Sequence, residues 1–89
     1  MHRLFELLGK RGTWEILVTI VREGKVGYTK LQVLTNLNYR TLSRRLKELV
    51  DMKLVERVVH DDRTVSYSLT DKGRKLTEEL IKIMDCFEK

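Results

Sequence analysis

The chain has no proline, a single cysteine and only two histidines. One cysteine cannot build an internal disulfide framework, which points to a reducing interior. His2 and His60 lie far apart, and neither falls near Cys86 or a serine at a spacing known for nucleophilic catalysis. The same scarcity excludes a clustered Cys/His metal site. No glycine-rich loop of the phosphate-cradling kind is present. Glu78-Glu79 reads as part of a solvated face, not as a catalytic pair. No enzyme, metal or cofactor is therefore expected, and no small-molecule ligand is evident. No apolar run approaches the ~18 residues of a membrane span, and no signal-peptide pattern opens the sequence. Asn and Gln together occur only three times against heavy use of Lys, Arg and Glu. That balance resembles proteins from hot environments, although the lack of proline argues the other way.

What remains is a small, basic, globular chain. Eighty-nine residues with 42% apolar and 35% charged content suit one soluble domain, covering 1–89. The net charge of +5 and pI near 9.6 call for a polyanionic partner, with nucleic acid ahead of membrane. The expected location is the cytoplasm, in association with the nucleoid.

The charge is concentrated. From Asn38 the chain reads Asn38-Tyr39-Arg40-Thr41-Leu42-Ser43-Arg44-Arg45-Leu46-Lys47-Glu48-Leu49-Val50. At 3.6 residues per turn, Leu42, Leu46 and Leu49 fall within an arc of about 60°. Arg40, Arg44 and Lys47 lie opposite, with Thr41 and Ser43 on the flanks and Arg45 nearer the apolar edge. Asn38 suits an N-cap. Ordinary solvated faces mix both signs, whereas this helix carries four cations and no acid before Glu48. One side fits a core, and the other fits phosphates and base edges.

The neighbouring segments frame this helix. Residues 1–9 have a helical pattern with Leu4, Phe5, Leu7 and Leu8 on one side, too short to stand alone in water. Thr13 can cap a second helix over 13–23, whose stripe is Trp14, Leu17, Val18 and Val21, widened by Ile16 and Ile20. Trp14 is expected in the core. Gly24 ends that helix, and Gly27-Tyr28 reads as a very short strand or extended turn. Residues 29–35 form a short helix with Leu31, Val33 and Leu34 expected to face inward. A three-residue turn then leads into the basic helix, so 29–50 has the helix-turn-helix arrangement. Residues 54–60 and 64–69 are valine-rich and alternate as strands do, with Val65, Tyr67 and Leu69 sharing a face. His60-Asp61-Asp62-Arg63 is the polar turn between them, so 54–69 is a hairpin wing. Thr70 can cap a last helix over 71–88. The fold class is mainly α with a small β-hairpin (α+β): a winged helix-turn-helix flanked by terminal helices.

Leu76, Leu80, Ile83 and Phe87 on the last helix are spaced four, three and four, and Ile81 and Met84 broaden that surface. This apolar excess, with that of Leu4, Phe5 and Leu8, suggests a two-fold homodimer made by the terminal helices. Cys86 reads as a small apolar residue, buried or half-exposed, with a cross-dimer disulfide as the sharper alternative.

Over roughly 9–86 the sequence resembles the HxlR family of winged-helix transcriptional regulators. The resemblance rests on Trp14 with Ile16-Leu17, Gly24, Tyr28-Thr29-Lys30-Leu31, and the run Leu42-Ser43-Arg44-Arg45-Leu46-Lys47-Glu48-Leu49. Leu54-Val55-Glu56-Arg57 and Tyr67-Ser68-Leu69-Thr70-Asp71-Lys72-Gly73 complete it, and the ArsR and MarR families share looser versions. The resemblance implies a dimer on a short palindromic operator. Three departures stand out: Lys53 replaces the family's usual glycine, the short wing carries Asp61 and Asp62 at its tip, and a sensing cysteine near the N-terminus is missing.

These readings assign double-stranded DNA as partner. Asn38, Tyr39, Arg40, Thr41, Ser43 and Arg44 are expected in the major groove, with Arg40 and Arg44 as base readers, since a guanidinium can bond guanine O6 and N7 together. Thr29, Lys30, Arg45, Lys47 and Arg63 are expected on phosphates, with His60 beside them at the wing. An architectural DNA-coating protein and a winged helix that binds only protein are the alternatives. Membrane-surface binding is disfavoured because the last helix mixes acids and bases on its polar side.

Overall fold

A computed structural model describes residues 2–88. The elements in chain order are α1 (Arg3–Leu8), α2 (Thr13–Glu23), β1 (Lys25–Gly27), α3 (Tyr28–Thr35), α4 (Tyr39–Asp51), β2 (Val55–Val59), β3 (Val65–Leu69) and α5 (Asp71–Phe87).

Six residues cannot sustain a helix by themselves, and α1 is held at both ends. The His2 imidazole accepts from the Leu4 amide at 3.0 Å, and the buried Thr13 hydroxyl donates to the Leu7 carbonyl at 2.7 Å. Thr13 was expected to cap α2, yet it is the first residue of that helix, and Gly12 takes the cap position with φ of +91°. A side chain at Gly12 would also meet the Leu37 methyls, with its Cβ 2.8 Å from Cδ1. The hydroxyl thus ties α1 to α2 instead of capping.

The buried stripe of α2 is Thr13, Ile16, Leu17 and Ile20, shifted by one residue from the expected row. Trp14 is not a core residue. It is half-buried and lines a groove with Val18 of α2 and Ile81 and Met84 of α5. In α3 only Leu31 is buried, while Val33 is 67% exposed and Leu34 49% exposed, against expectation. Val33 lies about 200° around the helix from Leu31, so both cannot face one core.

The sheet has three strands in the order β1-β3-β2, all antiparallel. Val26 and Arg57 both lie opposite Tyr67, so β3 is the central strand and the wing hairpin is only part of the sheet. The extended piece expected at Gly27-Tyr28 sits one step earlier, because Tyr28 already begins α3. Leu42, Leu46 and Leu49 of α4 join Ile16, Leu17 and Ile20 in one cluster with Leu54, Val55 and Leu69.

The end of α4 shows how Lys53 replaces glycine. The Lys53 amide donates to the Val50 carbonyl at 2.9 Å, and the Leu54 amide donates to the Leu49 carbonyl at 3.0 Å. This is a Schellman stop, with Leu49 and Leu54 buried together. Lys53 adopts the left-handed conformation, φ of +62°, that glycine would take without strain. The helix end is therefore built as a glycine at this position would build it. Lys53→Gly is expected to stabilise the protein by about 1 kcal/mol and raise its melting temperature by about 4–8 °C. An unchanged or lower midpoint in a thermal melt would refute the strain at this position.

At the start of α5 the Thr70 hydroxyl accepts from the Gly73 amide at 3.0 Å and donates to the Lys53 carbonyl at 2.7 Å. The Thr70 amide donates to the Leu54 carbonyl at 3.1 Å. Gly73 is buried against that same carbonyl.

Of the residues expected at a dimer interface, Leu4, Leu8 and Leu76 pack against this chain's own core. Leu80 is half-buried, while Phe5, Ile83, Met84 and Phe87 are exposed. Cys86 is also exposed, rather than buried or half-exposed.

Candidate nucleic-acid interface

Helix α4 is anchored along one side and bare along the other. Leu42, Leu46 and Leu49 are 0–2% exposed. Arg40, Ser43, Arg44 and Lys47 are all exposed on the remaining surface. Asn38 caps the helix as expected, its Oδ1 accepting from the Thr41 amide at 2.8 Å. Thr41 is half-buried beneath that cap. Among the described residues, Arg40, Arg44 and Lys47 have no acidic partner. Three free cations on one helical surface create a local field suited to phosphates and to the acceptor edge of guanine.

Tyr39 opens the helix, 57% exposed, with its ring stacked on that of Tyr28, the centroids 5.9 Å apart and the planes 19° from parallel. The Tyr28 hydroxyl donates to the Tyr39 carbonyl at 3.2 Å and lies 2.6 Å from Ser43 Oγ. Tyr28 thus joins the first turn of α3 to the first turns of α4. Its part was not legible beforehand, since Tyr28 and Ser43 are 15 residues apart and share no periodicity.

Two of the expected phosphate contacts are engaged elsewhere. Arg45 turns back along the helix, donating from Nη1 to Glu48 Oε1 at 2.6 Å with its side chain only 11% exposed. Glu48 also accepts from Lys10 Nζ at 2.6 Å, which links α4 to the α1–α2 loop. The exposed face therefore omits Arg45; its place near the apolar edge let Glu48, three residues on, capture it. Lys30 is exposed but paired with Glu23 at 2.9 Å, and Thr29 is exposed in the first turn of α3.

In the wing, Arg63 is exposed and adopts the left-handed conformation, φ of +69°. His60, expected near phosphates, places Nε2 2.8 Å from the Ser66 hydroxyl. The Asp62 carboxylate accepts from the hydroxyl and amide of Thr64, which hold it below the usual carboxylate range, with His60 a smaller influence. The Asp62 bonds to Thr64 are fully present above the ordinary carboxylate range and are lost as pH falls through and below it.

Among the described residues no group of three or more His, Cys, Asp or Glu is placed to hold a metal ion. No described helix is long and apolar enough to cross a membrane.

A family model described as winged helix-turn-helix matches residues 10–88. The chain belongs to the winged helix-turn-helix family. It is 35% identical over 86 residues to an uncharacterized HTH-type transcriptional regulator of Methanocaldococcus jannaschii, covering 91% of this chain and 76% of that one. It is 28% identical over 72 residues to the HTH-type transcriptional activator ArnR of Sulfolobus acidocaldarius, covering 81% of this chain. The match spans only 25% of that activator's length. Among solved structures, AF1382 of Archaeoglobus fulgidus superposes with a TM-score of 0.82 at 28% identity, covering 98% of this chain and 99% of that one. A MarR-family transcriptional regulator of Silicibacter pomeroyi superposes with a TM-score of 0.81 at 25% identity, covering 93% and 57% of the two chains. As in these winged helix-turn-helix proteins, the fold is helical with a small three-stranded antiparallel sheet. Helices α3 and α4 are joined by a three-residue turn and followed by the β2–β3 hairpin.

Proposed function

We propose that the protein is a non-catalytic, sequence-specific double-stranded-DNA-binding transcriptional regulator that acts as a homodimer in the cytoplasm, in association with the nucleoid. The observation that carries this reading is the bare cationic side of α4, held outward by three buried leucines. In this reading α4 enters the major groove, where Arg40 and Arg44 read bases and Asn38, Tyr39, Thr41 and Ser43 frame them. Lys47, Thr29 and wing Arg63 hold phosphates, and Lys30 joins them if its pairing with Glu23 opens. The exposed Phe5, Ile83, Met84 and Phe87, with half-buried Leu80, support pairing of two copies through the terminal helices. Residues 1–89 then work as one domain. Within the family we favour an HxlR-like subtype, on the motifs from Tyr28 to Leu31, Leu42 to Leu49 and Tyr67 to Gly73.

The test is the salt dependence of duplex binding. The two cations that this reading places on phosphates without an acidic partner among the described residues, Lys47 and Arg63, each release counterions with a slope of about −0.9. The logarithm of the binding constant should fall against that of salt with a slope of about −1.8 per protomer. Light scattering in the same buffer should give twice the 10.6 kDa chain mass. No salt-dependent binding at low ionic strength would reject the reading. Equal competition by unrelated duplex would favour an architectural DNA-coating role instead.

A further inference from the structure

We propose that Tyr28 is a specificity-determining positioning residue: it fixes Ser43 as a pure hydrogen-bond acceptor, so that this side chain selects a base presenting an amino group. The inference rests on the reading that α4 enters the major groove and goes on to name what one of its side chains reads.

The argument is a count of protons. A carbonyl oxygen can only accept, so the 3.2 Å contact between Tyr28 Oη and the Tyr39 carbonyl uses the single phenolic proton. The 2.6 Å contact between Tyr28 Oη and Ser43 Oγ then has one remaining assignment, with Ser43 donating and Tyr28 accepting. Both contacts are hydrogen bonds only in this arrangement. Its result is that the Ser43 proton points inward to Tyr28, and only lone pairs face out from an exposed position on α4.

A free serine hydroxyl reads any base edge, because it rotates to donate or accept. One whose proton is committed does not. In the major groove it can accept from adenine N6 or cytosine N4, and it meets guanine N7 and O6 or thymine O4 with lone pair against lone pair. The stack of Tyr39 on Tyr28 secures the geometry, because the ring that carries Oη is clamped between the carbonyl it bonds and the neighbouring aromatic face. Tyr28 touches no base in this scheme and acts through Ser43 alone.

The experiment selects bound duplexes from a random pool with the full chain, comparing the native protein with Tyr28→Phe, Ser43→Ala and the double variant. Phenylalanine keeps the stack and removes only Oη, so the variant should melt with the native protein to within a few degrees, checked by circular dichroism. The native protein should favour adenine or cytosine over guanine and thymine by about tenfold at one position of each half-site. Tyr28→Phe should relax that preference to about twofold or less while positions read by the arginines keep theirs, and Ser43→Ala should abolish it. The double variant should match Ser43→Ala, since the two residues act as one unit. A Tyr28→Phe protein that keeps the native preference at that position overturns the proposal. So does one that is folded but has lost all DNA binding, because Tyr28 would then only brace the helix. A native protein that selects no sequence at all rejects the regulator reading itself, which separates the two failures.

Discussion

Gly73→Ala is expected to cost about 3 kcal/mol or more of folding stability and to lower the melting temperature by about 12–24 °C. Helix propensity alone says the opposite, since alanine inside a helix is worth about 1 kcal/mol more than glycine. Steric contact outweighs it. A Cβ at Gly73 would lie 2.0 Å from the Leu54 carbonyl oxygen and 2.9 Å from its carbon, both rigid backbone. Relief requires the first turn of α5 to back away from the Leu54 backbone that leads into β2. That motion stretches the Thr70 amide bond to Leu54 and the Thr70 hydroxyl bond to Lys53, which fasten the same corner. Against a total of about 5–15 kcal/mol for a domain, the loss is a large fraction. A denaturant or thermal melt decides the matter; an alanine variant as stable as the native protein would mean that α5 is not seated as described.

Arg40→Ala and Arg44→Ala should each weaken binding to the preferred duplex by about 1–3 kcal/mol and relax the choice of base at one position. The reason is geometric as much as electrostatic. Both guanidinium groups are exposed, free of acidic partners among the described residues, and carried by a helix whose other side is anchored by buried leucines. A planar fork on such a helix can bond guanine O6 and N7 together, which lysine cannot imitate. Lys47→Ala is the comparison: it should weaken specific and random duplexes alike and shift the salt slope by about 1. Titrations of each variant against both kinds of duplex at two salt concentrations separate the roles. If arginine and lysine variants behave identically, the assignment of base readers is wrong.

The order of elements and the cationic helix could be read from the sequence because they rest on periodicity and caps. Leucines at 42, 46 and 49 impose the orientation of α4, and Asn38 and Thr70 do the capping expected of them. The third strand is legible only as a short extended piece at Gly27-Tyr28, one step later than its place in the sheet. Lys25-Val26-Gly27 is too short to show a period, and only its pairing with β3 makes it a strand. The buried stripe of α2 lies one residue from the row its periodicity predicts, because an apolar residue stands on nearly every side of the helix. The stripe is set instead by Thr13, a polar residue buried because its hydroxyl finds the Leu7 carbonyl. Within the candidate site, exposure of Arg40, Arg44 and Lys47 followed from helical angle alone, whereas the capture of Arg45 by Glu48 and the bridge from Tyr28 to Ser43 depend on rotamers and long-range contacts. Lys53 is the converse case: the departure from glycine was visible, and the backbone absorbed it.

The loop beyond β2 and β3 closes on itself. His60 meets Ser66, Asp62 meets Thr64, and the Arg63 amide returns to the His60 carbonyl at 2.9 Å, all within a span of seven residues. None of these ties reaches the leucine cluster, so the tip can fray and re-form at little cost while the sheet behind it stays shut. Whatever fit this finger achieves on a curved surface is therefore an adjustment local in energy, made without borrowing from the stability of the body that carries it.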